Sequence, residues 1–318
     1  MGGVGDTRCD RVAEAQPQSE PLGRAAARAS RIGRSWRYAP VEIERFVADL
    51  SLATRRLVSR EYRQSSFQPR NLLRIPERTE ELFNDLTFYW SVGQVWREIF
   101  AGMPMRQDAR VAEVGCGYVP KVALGLHYAG FTGTVDLVDT DGEALSHAAR
   151  FLELVGARCS STTQAATLGD PHGRTYDALF GNHLLDDLVL SAFCVPRGIE
   201  GARLYEREDR YMAVWSEIIN DSTFAERFVP DLADTLVGSV RPDGIVVLLD
   251  YPSFTHRALR LTRVIKFVRE VALNLRRALV GRGATLLAPL KGSVTFDRLA
   301  VTPDDLVAFR SGGSNGEL

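Results

Sequence analysis

Residues 110–120 read Arg-Val-Ala-Glu-Val-Gly-Cys-Gly-Tyr-Val-Pro, and this stretch decides the fold of the chain. It is a short apolar strand that ends in a glycine turn. Gly115 and Gly117 lack a Cβ atom, so the backbone can turn sharply and approach a ligand closely. Residues 122–129 continue with the apolar spacing of a helix. A second apolar strand ends in Asp139, about 20 residues past the glycines, where a nucleoside-binding α/β unit places a carboxylate on a ribose.

The order of strand, acid, glycine turn, helix, strand and acid is more specific than the two glycines alone. It resembles the class I S-adenosylmethionine-dependent methyltransferases, whose first motif, apolar-x-Glu/Asp-x-Gly-x-Gly, is matched by residues 111–117. The resemblance implies a Rossmann-like three-layer αβα sandwich with a mostly parallel seven-stranded sheet, an N-terminal helical annex and a helical insert. A dinucleotide dehydrogenase more often has a third glycine where this chain has Pro120. The methyl donor is therefore favoured over a nicotinamide cofactor.

The resemblance also implies S-adenosyl-L-methionine as the cofactor and assigns residues to it. Asp139 stands in the place of the acid that holds the ribose hydroxyls. Gln164 stands where the family often has an acid near the adenine, and its amide can accept from an amine and donate to a ring nitrogen. Asp170 is the competing candidate there. The other predicted cofactor-binding residues lie in or near the turn and at strand ends, and they are Glu113, Gly115, Cys116, Gly117, Tyr118, Thr140 and Asn182.

A second informative stretch, residues 176–188, reads Tyr-Asp-Ala-Leu-Phe-Gly-Asn-His-Leu-Leu-Asp-Asp-Leu. It resembles the family's fourth strand, which ends in polar residues facing the transferred methyl group. His183 falls at that end and is either a general base with a near-neutral pKa or a packing histidine. Asp250 and Tyr251 follow the predicted fifth strand, 245–249, and would face the active-site mouth or form an ordinary turn. The predicted catalytic residues are thus His183, Asp250 and Tyr251.

Changes in composition divide the chain into segments. The expected segments are a disordered tail rich in Gly, Ala and Arg at 1–38, a helical annex at 39–105, a donor-binding domain at 106–310 with an insert at 191–230, and a loose tail at 311–318. Annex helices are predicted at 41–60 and 80–100. The aromatic residues at 88–90 and Trp96 either line the substrate pocket or pack in the core. The aromatic face of the insert predicts a substrate lid, or core packing against the annex.

Apolar periodicity and turn residues predict the remaining elements. The predicted helices lie at 141–155, from Asp186 onward, at 229–240 and at 255–279, with a short final helix that begins at Thr302. The predicted strands lie at 157–163, 284–288 and 293–300, and a turn is predicted at 241–244.

Charge and cysteine content limit the classes of function. The 318 residues carry a net charge of −1, so the chain as a whole does not attract nucleic acid or an anionic membrane. No apolar run reaches the roughly 20 residues that span a bilayer. The four cysteines are scattered without metal-ligand spacing, which predicts a cytoplasmic protein with no bound metal.

The sequence therefore predicts methyl transfer to O, N or C of a small molecule, in a specialised biosynthetic pathway. Three alternatives stay open: transfer of the donor's aminocarboxypropyl group, as in nicotianamine-type synthases; methylation of nucleic acid through the basic segment 255–282; and a non-catalytic, donor-binding subunit. Nucleic acid is the disfavoured partner because the net charge is near zero. The oligomeric state, monomer or homodimer, is also open.

Overall fold

Strands and helices alternate along most of the described chain. The computed structural model describes residues 81–117, 119–168, 176–199, 204, 208–252, 256, 260–296 and 299–312. The predictions for residues 1–38 and 41–60, for Tyr118 and for Asp170 lie outside these residues.

Helices and strands of the described chain are numbered here in order. The helices are α1 Glu81–Ala101, α2 Lys121–Tyr128, α3 Gly142–Leu154, α4 Leu185–Cys194, α5 Glu208–Asn220, α6 Phe224–Gly238 and α7 Thr262–Gly281. The strands are β1 Arg110–Val114, β2 Thr134–Asp139, β3 Ser160–Ala165, β4 Tyr176–Asn182, β5 Val240–Leu249, β6 Thr285–Leu286, β7 Val294–Phe296, β8 Leu299–Val301 and β9 Leu306–Arg310. Two short 3₁₀ helices lie at Val195–Arg197 and Pro303–Asp305.

Seven of these strands form one sheet in the order β3-β2-β1-β4-β5-β9-β6. β1 pairs in parallel with β2 and β4, and β2 with β3 and β4 with β5 do the same. β9 runs antiparallel between β5 and β6. From β1 the chain first adds β2 and β3 on one side and then adds β4 and β5 on the other. The carboxyl ends of β1 and β4 therefore flank the crevice in which open α/β sheets bind ligands. The predicted Rossmann-like fold is confirmed.

Two hydrophobic cores cover the two faces of the sheet. Successive residues of β1 point to opposite faces, so Val111 enters one core and Ala112 the other. Helices α1, α2 and α3 pack on the face of Val111, and helices α4, α5, α6 and α7 pack on the face of Ala112. This arrangement is the predicted three-layer sandwich.

The described part of the annex is α1, which lies directly against α2. Trp96 is fully buried in that core, where its ring meets Phe100 and Phe180. The close approach depends on Gly93 of α1 and Gly125 of α2. A Cβ atom added at Gly125 would lie 2.3 Å from Cβ of Trp96 and 3.0 Å from the carbonyl oxygen of Gly93. Trp96 is therefore a core residue, as one of the two sequence alternatives predicted.

Replacing Gly125 with alanine should destabilise the protein by about 1–3 kcal/mol, because neither Cβ of Trp96 nor the backbone of Gly93 can move away cheaply. Gly142→Ala is the matched control, since nothing lies within 4 Å of a Cβ at that first residue of α3. Urea unfolding of both variants measures the difference. Equal midpoints for the two variants would show that α1 and α2 are not in tight contact.

The insert supplies core rather than a lid. Tyr211, Val214 and Trp215 of α5 are buried in the core formed with α4, α6 and α7. The Trp215 ring lies 6.5 Å from that of Phe267 on α7. This aromatic face is therefore core rather than the predicted lid, and among the described residues it packs with α4, α6 and α7 instead of with α1 of the annex.

Several predicted boundaries are corrected. The third strand lies at Ser160–Ala165 rather than 157–163, and the helix before β5 begins at Phe224 rather than 229. The predicted turn at 241–244 is an irregularity inside β5, where Asp243 has a φ of 63° and the pairing register with β4 shifts.

The closing strands differ from the prediction as well. The antiparallel strand next to β5 is β9, which the sequence did not reveal. The residues predicted as a closing strand at 293–300 form instead a separate hairpin, β7 with β8. The helix predicted to begin at Thr302 is the 3₁₀ turn Pro303–Asp305, held by a capping box between Thr302 and Asp305.

The basic helix α7 begins at Thr262 rather than 255. Two of its cations make contacts within the fold: Arg269 pairs with Asp305 at 3.3 Å, and Arg276 donates to the carbonyl oxygens of Asp304 and Leu306. Arg282, just past the helix, pairs with Asp234. No helix in the described ranges is long and apolar enough to cross a membrane.

Candidate active site

The glycine turn after β1 meets the carboxylate that ends β2. Gly115 and Gly117 have φ values of 64° and 59°, the left-handed region in which glycine avoids the penalty of a Cβ atom. Oδ2 of Asp139 accepts a hydrogen bond of 2.9 Å from the backbone N–H of Gly117, and Oδ1 accepts one of 3.0 Å from that of Asp141. The two motifs that the sequence pairs thus touch in the structure.

Glu113 is buried beneath the same turn. Its carboxylate accepts hydrogen bonds from the backbone N–H groups of Val122 and Ala123, at 3.0 and 2.8 Å. These groups begin α2, where a helix leaves its first N–H groups unpaired. Burial raises the pKa of the Glu113 carboxyl to about 7, although the two N–H groups oppose that rise. Glu113 therefore fixes the start of α2 relative to the turn, a role that the sequence did not indicate.

The other residues predicted around the donor occupy different positions. Cys116 turns its thiol into the core and contacts the carbonyl oxygen of Gly117 at 3.4 Å, so only its backbone remains at the turn. Thr140 is exposed directly after β2. Gln164 pairs in register with Val138, one residue before Asp139. Its Oε1 is buried and has no hydrogen-bond partner in the described part of the chain.

Asn182 ends β4 and is held from two sides. Nε1 of Trp96 donates to its Oδ1 at 2.9 Å, and its Nδ2 donates to the hydroxyl of Tyr251 at 3.4 Å. The tryptophan of the annex helix thus fixes the orientation of this amide. Tyr251 is buried, and its ring lies edge-on to the His183 ring at 5.2 Å.

His183 follows β4 in a backbone conformation that non-glycine residues seldom adopt, with a φ of 54°. Such strain persists only where the surroundings hold it, and it clusters at functional sites. Nδ1 of His183 lies 3.0 Å from Oδ1 of Asp186 and 3.4 Å from Oδ1 of Asp250. Nε2 is buried and has no partner among the residues described.

Burial and neighbouring charges shift the pKa values of His183, Asp250 and Asp186 in different directions. Burial lowers the pKa of His183, but the carboxylates of Asp186 and Asp250 outweigh it and hold that pKa well above its usual value. Burial, with the neighbouring Asp186 charge, raises the pKa of Asp250 to about 6 despite the attraction of His183. Burial raises the pKa of the closer carboxylate, Asp186, but the charge and hydrogen bond of His183 outweigh it and hold that pKa below its ordinary value.

His256 lies in the predicted basic segment 255–282 and belongs to this cluster, which the sequence pattern does not reveal. The ring is buried, with Nε2 3.6 Å from Oδ2 of Asp186 and 3.4 Å from the hydroxyl of Tyr211. Burial lowers the pKa of His256 to about 4, aided by His183, so the ring is neutral at physiological pH. Only the i, i+3 spacing of His183 and Asp186 was visible in the sequence, because His256 and Tyr211 come from distant segments.

Comparison with known proteins gives structural neighbours only. No protein-family profile matches the chain, and no curated protein sequence matches it. Among solved structures, magnesium protoporphyrin IX methyltransferase from Synechocystis is 13% identical with a TM-score of 0.44, over 81% of this chain and 100% of the other. An N-methyltransferase from Bradyrhizobium japonicum is 12% identical with a TM-score of 0.38, over 69% and 95%. A methyltransferase from Pyrococcus furiosus is 14% identical with a TM-score of 0.38, over 69% and 82%.

Proposed function

We propose that this protein is an S-adenosylmethionine-dependent methyltransferase that acts on O, N or C of a small molecule. One observation carries the proposal: two sets of groups lie at the same carboxyl edge of the sheet. The glycine turn in contact with Asp139 is one set, and His183 with its two carboxylates is the other. The first set suits a nucleoside, and the second suits removal of a proton beside it.

The residues of the first set fit the donor. Asp139 would hold the ribose hydroxyls, and Gln164 offers its unpartnered Oε1 to the exocyclic amine of an adenine. The positive φ values of Gly115 and Gly117 let the backbone approach the ligand closely. When bound, S-adenosylmethionine supplies an electrophilic methyl group on a positively charged sulfur. The chain's own contribution is alignment of the acceptor with that methyl group.

The second set handles the acceptor's proton. With Nδ1 of His183 held by Asp186, Nε2 is the nitrogen left to face the acceptor. Nε2 would take the proton from the acceptor's O–H, N–H or C–H group while the acceptor's electron pair bonds to the methyl carbon. The bond from that carbon to sulfur would break in the same step and release S-adenosylhomocysteine. Asp250 adds a second carboxylate that stabilises the imidazolium formed. The buried ring of Tyr251 forms a wall beside His183.

The alternatives have less support from the described contacts. Methylation of nucleic acid rested on a basic helix, and the cations Arg269 and Arg276 of that helix are engaged within the fold. Aminocarboxypropyl transfer uses the same donor site but attacks a different carbon next to the same sulfur. No contact of the described residues favours it over methyl transfer.

Product analysis tests the proposal. The protein is incubated with donor labelled only at the methyl carbon and with a panel of small hydroxyl, amine and carbon-acid compounds, and products are read by mass spectrometry. The proposed function predicts a labelled product heavier by one methyl group. A product that carries the larger aminocarboxypropyl group, or donor binding with no product from any acceptor class, would contradict it.

A further inference from the structure

We propose that Asp186 and His256 are positioning residues for His183: the Asp186 carboxylate bridges the two imidazoles, and His256 with Tyr211 fixes that carboxylate. The inference rests on the proposed function in one respect, the role of His183 as a base. It assigns a positioning role to Asp186 and His256, which do not touch the reacting atoms. It also gives Tyr211 of the helical insert a structural role at the site.

Geometry supports a bridge rather than a random cluster. Each oxygen of Asp186 faces a different imidazole, Oδ1 toward Nδ1 of His183 at 3.0 Å and Oδ2 toward Nε2 of His256 at 3.6 Å. Oδ1 also accepts from the backbone N–H of Asp187 at 3.0 Å, so the start of α4 holds the carboxylate in place. Because both oxygens have defined neighbours, the carboxylate cannot rotate without losing contacts.

Burial strengthens the electrostatic interactions of Asp186 with the two imidazoles. The side chains of Asp186 and His256 are 7% and 5% exposed, so solvent screens their interaction little. The ionisable groups around the bridge among the described residues include Asp250 and Tyr251 after β5, Tyr211 of α5 and Asp187 of α4, and Asp305 acts on Asp250. Burial, with the charges of Asp186 and Asp187, raises the pKa of Tyr211 above its ordinary range, so its hydroxyl stays protonated.

The bridge has a direct consequence for the base. A carboxylate on Nδ1 keeps the proton on that nitrogen and leaves Nε2 as the lone pair that accepts the acceptor's proton. It also prevents the ring from turning, as expected for an imidazole that must meet a substrate at a fixed position. Since Tyr211 belongs to α5, the insert supports the site through its contact with His256 and does not act as a lid over it.

Nuclear magnetic resonance of the histidine rings tests the bridge without donor or acceptor. The chain has five histidines, so ¹⁵N-histidine signals of the full-length protein can be assigned by single substitutions. We expect the His183 ring to titrate above its ordinary range and the His256 ring to stay neutral at pH 6. In Asp186→Asn the midpoint of His183 should fall by about one to three pH units, since an opposite charge has been removed.

Two variants of His256 separate positioning from packing. His256→Gln keeps a side-chain N–H that can reach Asp186, whereas His256→Phe keeps the bulk of the ring and loses the N–H donor. The His183 midpoint and its Nδ1–H signal should survive in His256→Gln and should shift in His256→Phe. Because no ligand is present, the outcome is independent of whether methyl transfer occurs.

Three outcomes would overturn the bridge. The first is a His183 midpoint that does not move in Asp186→Asn. The second is identical spectra for His256→Gln and His256→Phe with equal thermal stability. The third concerns a metal, because ligand atoms of His183, Asp186 and His256 all lie within 4.8 Å of one another. Tight one-to-one binding of Zn²⁺ that shifts both rings, together with activity that chelators abolish and Zn²⁺ restores, would replace the bridge by a metal site.

Discussion

Replacing His183 with alanine should lower kcat for methyl transfer by about 10²–10⁴-fold, the usual contribution of a positioned general base. Affinity for S-adenosylhomocysteine should stay close to that of the unmodified protein, because the proposed function assigns His183 to the acceptor and not to the donor. His147→Ala on α3 is the matched control and should leave turnover unchanged. Initial rates with methyl-labelled donor measure the effect, and full turnover in His183→Ala would remove His183 as the base.

The pH dependence of the same reaction follows from the raised pKa of His183. Only the neutral ring can accept a proton, so kcat/KM should rise with pH through a midpoint above the ordinary histidine value. In Asp186→Asn that rising limb should move to lower pH, because one of the carboxylates that favour the charged ring has been neutralised. A rate profile whose midpoint is identical in the two proteins would contradict this assignment.

Replacing Asp139 with alanine should weaken binding of S-adenosylhomocysteine by about 10²-fold or more. The carboxylate would make charge-assisted hydrogen bonds to two ribose hydroxyls, each worth about 1.5–3 kcal/mol, and about 1.4 kcal/mol corresponds to a tenfold change in Kd. It also accepts from Gly117, so the turn loses a contact in the variant.

Controls for Asp139 lie close by. Asp141→Ala removes the carboxylate that caps α3, two residues after Asp139. It should lower the stability of the protein without weakening the binding of S-adenosylhomocysteine. Asp139→Asn keeps one acceptor oxygen and should show an intermediate Kd. Calorimetry of the three variants gives the comparison, and an unchanged Kd in Asp139→Ala would show that another group holds the ribose.

Elements with strong local signals could be predicted from the sequence. β1, β2 and β4 are apolar runs bounded by glycines or polar residues. The spacing of the glycine turn and Asp139 predicted a shared nucleoside site, and in the structure Gly117 and Asp139 are in contact. β9 could not be predicted, because five residues at 306–310 become a strand only by pairing with β5, more than 50 residues away in the sequence. The start of α7 at Thr262 could not be predicted either. Arg260 has a φ of 54° just before it, and the local sequence pattern does not indicate that conformation.

The site shows the same division between local and distant contacts. His183 and Asp250 stand at strand ends, where the topology of an α/β sheet concentrates functional groups. His256 looked like one more cation on an amphipathic helix, and Tyr211 like part of an aromatic lid. The contacts of His256 with Asp186 and of Tyr211 with His256 depend on how the segment after β5, α5 and α4 pack together, which periodicity within each segment cannot reveal.

Calorimetric titration of the folded, full-length protein with S-adenosylmethionine and with S-adenosylhomocysteine tests the central claim, that the edge formed by the glycine turn and Asp139 binds a sulfonium nucleoside. We predict that both compounds bind at one site per chain and that Asp139→Ala weakens both. Absence of binding heat with either compound, at several temperatures and on protein shown to be folded by circular dichroism, would contradict the claim.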